Sequence, residues 1–439
     1  MAAAKKKREN LEALESMDQF DTSGLAGLFR QEMRKSKDIR DYAESSFDVA
    51  YPTGFLSIDF ANGAKIDVTM KDGSSFIYNS IGITDGSMIT CVGRSGCGKS
   101  TFLIQALGEI IKPFPRALFI HEDIEGGLSS SRKRQLLNMT EEEFQQKYIC
   151  RNTGISTETF FNRINKIHDL KMENYADYEY DTGLYDCDGN RIYKLEPTVV
   201  LLDSWAMLMP DTVAEEEGLA SNMTVVSIAK TNTQVIRRII PKLKAANIIL
   251  GVINHLLPDP SPTPKKAQVA WLKIGERCPG GETAIYMANN FFRFNDKSKL
   301  KEDKDFGING IFVDIQFVKS RTNASGIAIP MVLNYAEGFD RELSALLLLK
   351  EKNRAIAKGA YMSFDSFPDM KFTQKGFKQK LQDDPEFLQA FMTVYLEELE
   401  KLISHTAVDA RARMQQETPK VNFTSMMIDQ IRGAIPQAS

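Results

Sequence analysis

Gly93-Arg94-Ser95-Gly96-Cys97-Gly98-Lys99-Ser100-Thr101 decides the reading of this chain. It fits G-x-x-x-x-G-K-[ST], a loop whose consecutive backbone N–H groups curl round the phosphates of a nucleoside triphosphate. The apolar run Met88-Ile89-Thr90-Cys91-Val92 before it predicts a buried strand, and Thr101-Phe102-Leu103-Ile104-Gln105-Ala106-Leu107 after it predicts a helix. In that setting the helix N-terminus adds partial positive charge to the anion site. Lys99 then reaches the terminal phosphates and Ser100 holds Mg²⁺. Cys97 is a small side chain that fits the loop, with no redox role expected.

Further strand-like runs, Ala117–His121, Thr198–Leu202 and Asn247–Ile253, alternate with helical patterns. Alternation of this kind implies an α/β fold with a mostly parallel sheet flanked by helices. Val199-Val200-Leu201-Leu202-Asp203-Ser204 is an apolar strand ending in an acid, the pattern whose carboxylate orients Mg²⁺. Phe119-Ile120-His121-Glu122-Asp123-Ile124-Glu125-Gly126 ends another strand in carboxylates. Ligands of open α/β sheets sit beyond strand C-termini, so Glu125 or Glu122 is placed to orient an attacking water. Asn254-His255 ends a further strand with two polar groups able to sense a γ-phosphate. Asp186-Cys187-Asp188-Gly189-Asn190 lacks the spacing and closing Glu of a Ca²⁺ loop and reads as a hairpin turn within an insertion at 172–196. A second hairpin is expected around Lys71-Asp72-Gly73-Ser74.

Leu256–Met287 reads as a long loop without secondary structure of its own. It carries Pro258, Pro260, Pro262 and Pro264, then Lys265, Lys266, Trp271, Lys273, Arg277, Gly280 and Gly281. Basic residues interleaved with an aromatic suit single-stranded nucleic acid, the charges tracking phosphates and the ring stacking on a base.

The bulk properties agree with a soluble globular chain. It has 439 residues, 43% hydrophobic and 26% charged, with formal net charge −3, so any nucleic-acid surface is local. Five scattered cysteines suggest a reducing interior and a cytoplasmic location. No apolar run spans a membrane, and Met1-Ala2-Ala3-Ala4-Lys5-Lys6-Lys7-Arg8-Glu9 has no apolar segment behind its basic residues, so no secretory signal is expected. The expected organisation is an N-terminal helical arm at 1–50, an ATPase core at 51–335, a small C-terminal helical subdomain at 336–405 and a loosely ordered tail at 406–439. Leu25, Leu28 and Phe29 make the arm a candidate oligomerisation element.

In this order the motifs resemble the RecA family of homologous recombinases, including phage-encoded members, from about Tyr51 to Ile403. Pro52-Thr53-Gly54-Phe55-Leu56-Ser57-Ile58-Asp59 is similar to the threonine-glycine segment that opens the family's core. The resemblance implies a RecA-type P-loop ATPase core using ATP and Mg²⁺. It prefers Glu125 as the base, because Asp123-Ile124-Glu125 resembles the family's Asp-x-Glu, and it places Arg132 over adenine. It makes Lys319 and Arg321 a basic pair reaching a neighbour's ATP, and it makes Met209–Asn222 and Leu256–Met287 two DNA-facing loops. Asn254-His255 stands where the family has Asn-Gln, so His255 is a departure. The implied partners are single- and double-stranded DNA, further copies in a filament, and mediator and single-strand-binding proteins. The implied activity is DNA-dependent ATP hydrolysis with strand pairing and exchange. A RecA-fold helicase or accessory ring motor, and a non-hydrolysing nucleotide-bound scaffold, remain alternatives.

Overall fold

Every residue of β1 (Met88–Gly93) is buried, as a six-residue apolar run between two covered faces requires. In the computed structural model, which describes residues 49–69, 75–185, 191–214, 222–259, 270–280, 283–300 and 306–406, this strand lies inside a nine-stranded sheet. The other strands are β2 (Leu118–Asp123), β3 (Tyr148–Arg151), β4 (Thr198–Asp203), β5 (Ile248–His255), β6 (Asn290–Leu300), β7 (Gly310–Ser320), β8 (Ala328–Asn334) and β9 (Gly338–Asp340). Their spatial order is β9-β8-β7-β6-β1-β5-β4-β2-β3. From β6 to β3 all neighbours are parallel, whereas β7, β8 and β9 extend the sheet antiparallel. The protein is therefore an α/β fold with a mostly parallel sheet flanked by helices. β5 stands between the phosphate-loop strand and the strand ending in Asp203.

Helices cover both faces, and the period-2 alternation of strand side chains sorts residues between them. Phe119, Val199, Leu201, Ile249 and Ile253 pack with Phe102, Leu103 and Leu107 of α2 (Lys99–Ile111), which follows the short helix α1 (Leu56–Ala61). Val200, Leu202, Leu250 and Val252 pack on the opposite face with Phe160 and Ile164 of α4 (Thr157–Glu173) and Ile236 and Ile239 of α5 (Asn222–Ala245). The residues between α2 and α4 include α3 (Ser130–Leu137), capped by Ser129.

Two expectations change. Leu256–Met287 is not structureless: Leu257–Pro258 pairs antiparallel with Glu276–Arg277, and Thr283–Tyr286 forms one helical turn. The C-terminal segment is not only helical. Besides α6 (Arg341–Glu351) and α7 (Pro385–Glu400) it holds an antiparallel sheet of Ala355–Lys358, Tyr361–Phe364 and Phe367–Phe372. A cluster of Phe364, Phe372, Phe377, Phe387 and Phe391 buries the sheet against α7. The same cluster reaches Leu56, Phe60 and Val332, so the segment shares a core with the α/β domain. Both expected hairpins form, as Ala64–Thr69 with Ser75–Ser80 and as Glu179–Tyr185 with Arg191–Leu195. The turn Asp186–Asn190, the N-terminal arm with Leu25, Leu28 and Phe29, residues 215–221 of the first DNA-facing loop, Lys265, Lys266, Gly281 and the tail after 406 lie outside the described residues. Among the described residues no helix is long and apolar enough to cross a membrane.

Candidate nucleotide site

The phosphate loop leaves β1 at Gly93 and enters α2 through Gly98, whose φ of +87° sits in the left-handed region. A Cβ there would also lie 2.8 Å from Leu333 and Phe339, so this position needs glycine for conformation and for space. No side chain caps α2, which leaves its first N–H groups facing the cleft. Lys99 is buried and its Nζ donates to the carbonyls of Gly93 (3.0 Å) and Arg94 (2.8 Å). Cys97 packs inside the loop and donates to Arg94 O, and burial raises its thiol pKa.

The strand alternation brings the remaining groups to this cleft. Asp203 shares its face with Val199 and Leu201 and so points at the start of α2, where Ser100 Oγ donates to its Oδ2 at 2.6 Å. His121 and Asp123 share their face with Phe119, and His255 shares its face with Ile249 and Ile253. All four line a cleft of about 180 Å³ together with Ser95, Gly96, Gly98, Lys99, Ser100, Thr101 and Glu125. Burial pushes the Asp203 carboxyl up to about 6; the Ser100 hydrogen bond opposes this, and the Glu125 and Asp123 charges add to it. Asp203 Oδ1 is buried without a hydrogen-bond partner among the described residues. A hydroxyl beside an unpaired carboxylate oxygen at the mouth of a phosphate loop fits a hard divalent cation such as Mg²⁺.

The two candidate bases separate by parity. Glu122 points to the other face, is fully buried, and forms an ion pair with Arg163 of α4. Glu125 lies beyond the strand end and lines the cleft, its turn held by Ile124 N donating to Asp203 O at 2.7 Å. Its Oε1 accepts from Ser204 Oγ at 2.5 Å and lies 2.6 Å from His255 Nε2. Asp123 is spent on structure: its Oδ1 accepts from Gly126 N and its Oδ2 pairs with the buried Lys133.

Other predicted residues stand apart from the cleft. Arg132 is half-buried and donates to the carbonyls of Tyr335 and Ala336. Lys319 donates to Tyr286 O at 2.5 Å, and Arg321 N to Asn289 O. Arg321 is thus level with the start of β1, five residues or about 16 Å along the strand from Gly93. Neither residue lines the cleft of its own chain. Burial lowers the Lys319 pKa, and the Arg321 charge beside it acts the same way.

In the candidate DNA loop Lys273 and Arg277 are exposed. Trp271 is not the presented ring that the sequence suggests. It is half-buried, edge-on to Phe291 at 4.9 Å, and its carbonyl accepts from Arg293. Sequence reasoning missed the struts that tie this loop to the cleft. Asn254 Nδ2 donates to Pro279 O at 2.7 Å, and Trp205 Nε1 donates to Gly280 O at 2.7 Å. Glu276 pairs with Arg293 at 2.7 Å and lies 3.8 Å from Arg94 of the phosphate loop. Their signal in the sequence is position alone, since Asn254 and Trp205 directly neighbour His255 and Ser204.

No protein-family model matches the sequence, and no curated protein matches it. Among solved structures the chain is similar to a crystal structure of the RadB recombinase, with 15% sequence identity and a TM-score of 0.36, over 59% of this chain and 92% of that chain.

Proposed function

We propose that this protein is a DNA-dependent ATPase that assembles as a filament on single-stranded DNA and catalyses homologous pairing and strand exchange. The observation that carries the ATPase part is the convergence of Lys99, Ser100, Asp203 and Glu125 on one cleft at the C-terminal ends of the parallel strands. Lys99 and the α2 N-terminus bind the phosphates, and Ser100 with Asp203 would hold Mg²⁺. When bound, that cation would supply charge neutralisation for the phosphates. Glu125, oriented by Ser204, positions the attacking water. Lys319 and Arg321, remote from their own cleft, serve the nucleotide of an adjacent copy.

The DNA part rests on the resemblance to RecA recombinases and on the loop at 270–280. Lys273 and Arg277 are exposed there, and Asn254 and Trp205 bond the loop to the strand ends that also carry His255 and Asp203. A change of nucleotide state that moves those strand ends moves the loop with them. The test is ATP hydrolysis with and without single-stranded DNA over a range of salt. Strong stimulation that fades as salt rises supports a DNA-coupled motor. Tight ATP binding without stimulation overturns the DNA-dependent activity and leaves a nucleotide-bound scaffold.

A further inference from the structure

Lys319-Ser320-Arg321 stands at the end of β7 and continues into a turn whose polar side chains are bonded to other elements. We propose that Asn62, Thr322 and Asn323 are positioning residues that fix this turn, so that Arg321 is presented in one place to the nucleotide of an adjacent copy. The proposal rests on the reading that the basic pair acts on a neighbour's ATP, and it adds what holds the pair there.

The strand first turns the pair outward. β6 and β7 change register between Phe291 and Phe292: Phe292 pairs with Phe317 and Phe291 with Lys319, which leaves Val318 as an extra residue. Phe317 is buried with Phe292 in the core that α2 covers. Strict alternation would send Lys319 to that same core, and a bulge of one residue reverses the face. Lys319 instead stands opposite Phe291, which packs with Ile285 on the other side of the sheet, and its Nζ donates to Tyr286 O. Ser320, the next residue, turns back toward α1, where its Oγ donates to Asn62 Oδ1 at 3.2 Å.

Asn62 is the anchor. It follows α1, is 1% exposed, and donates through Nδ2 to Gly82 O at 2.7 Å. Its Oδ1 also accepts from Asn290 Nδ2 of β6, and its carbonyl accepts from Thr322 Oγ1 at 2.5 Å. Asn323 Nδ2 donates to Ala61 O at 2.9 Å and to Leu402 O, beyond α7, at 2.8 Å. Ser320 Oγ accepts from the backbone N–H groups of Thr322 and Asn323. Arg321 lies between these fixed residues, its N–H bonded to Asn289 O at 3.1 Å and the residue itself exposed. None of the three bracing residues lines the cleft. Their bonds act on where the Arg321 side chain starts, and misplacing a charge-stabilising group by about 1 Å can cost on the order of 10²-fold in rate.

The experiment measures DNA-stimulated ATP hydrolysis by the full chain for wild type, Asn323→Ala, Arg321→Ala and the double variant. Asn323→Ala is expected to lower kcat about tenfold with the KM for ATP kept. In the Arg321→Ala background the same change should cost nothing further, because a residue that acts through Arg321 has nothing left to position. Thr322→Val removes only a hydroxyl at nearly constant volume and should show the same pattern, which keeps the test open if Asn323→Ala does not fold. Mixing Asn323→Ala with Glu125→Gln subunits should raise hydrolysis above the mean of the two separate samples, since intact clefts of the first then meet correctly held Arg321 of the second. Unchanged kcat in both single variants, an equal loss in both backgrounds, or a mixture at the mean overturns the positioning role alone. A wild-type chain that hydrolyses no ATP, or Arg321→Ala with full turnover, rejects the reading under which the pair acts, and the positioning role with it.

Discussion

Two lysines are buried at opposite ends of the same parallel sheet, Lys99 at 5% exposure and Lys171 at 3%. Lys99 stands at the C-terminal ends of the strands, where its ammonium rests on two carbonyls of its own glycine-rich loop and faces a cleft. Lys171, on α4, stands at the N-terminal ends and donates to Glu196 O, Thr198 Oγ1 and Asn247 O. All three of its donors are spent inside the fold. Burial pushes its pKa down to about 7, with the Glu196 charge opposing. A buried cation therefore does not mark a site by itself. What distinguishes Lys99 is a backbone that leaves N–H groups unpaired toward a cleft, together with carboxylates delivered to the same cleft by strand alternation.

The largest effect that tests this contrast involves the opposite end of the sheet. Arg321→Ala should lower DNA-stimulated hydrolysis on the order of 10³-fold while isolated subunits still bind ATP. Equal turnover in both proteins would remove any role of that end in a neighbour's cleft. Glu125→Gln should reduce hydrolysis by about 10²-fold with ATP still bound. Glu122→Gln should instead lower thermal stability, because Arg163 loses its partner. A hydrolysis defect confined to the Glu122 variant would reverse the assignment.

Lys99→Ala should weaken ATP binding on the order of a hundredfold with little loss of stability. Asn254→Ala leaves Pro279 O without its donor, and stimulation by DNA should fall roughly tenfold, equivalent to about 1.4 kcal/mol, with basal turnover kept. Unchanged stimulation would show that the strut carries no coupling.

Lys171→Met should do the reverse of Lys99→Ala, leaving ATP binding intact and costing about 1–3 kcal/mol through unpaired acceptors. Its pH signature is also distinct. The folded pKa of about 7 lies below the unfolded value of 10.5. Between those values the unfolded chain holds a proton that the folded chain has released, so stability rises with pH across that window. Denaturant unfolding of wild type and variant at pH 7 and pH 10 should differ by that slope, and parallel curves would remove Lys171 as its source.

The phosphate loop, the strands around it, Asp203 and both hairpins were legible in the sequence because each depends on neighbours within about ten residues. Glycine, an apolar run and a terminal acid fix local conformation wherever the chain goes. The choice between Glu122 and Glu125 was half legible. Alternation along Phe119–Asp123 already separates His121 and Asp123 from Glu122, but only the placement of α2 and α4 says which set faces the cleft. The packing of Trp271 on Phe291, the reach of Asn254 to Pro279 and the three bonds of Lys171 were not legible at all. Each joins segments at least 20 residues apart whose separation closes only when the sheet assembles. The sequence by itself thus determined that a glycine-rich loop of the phosphate-loop pattern opens a helix in an α/β chain. The tertiary structure alone decided which carboxylate shares its cleft and which loop is tied to it, because those contacts depend on strand order and face.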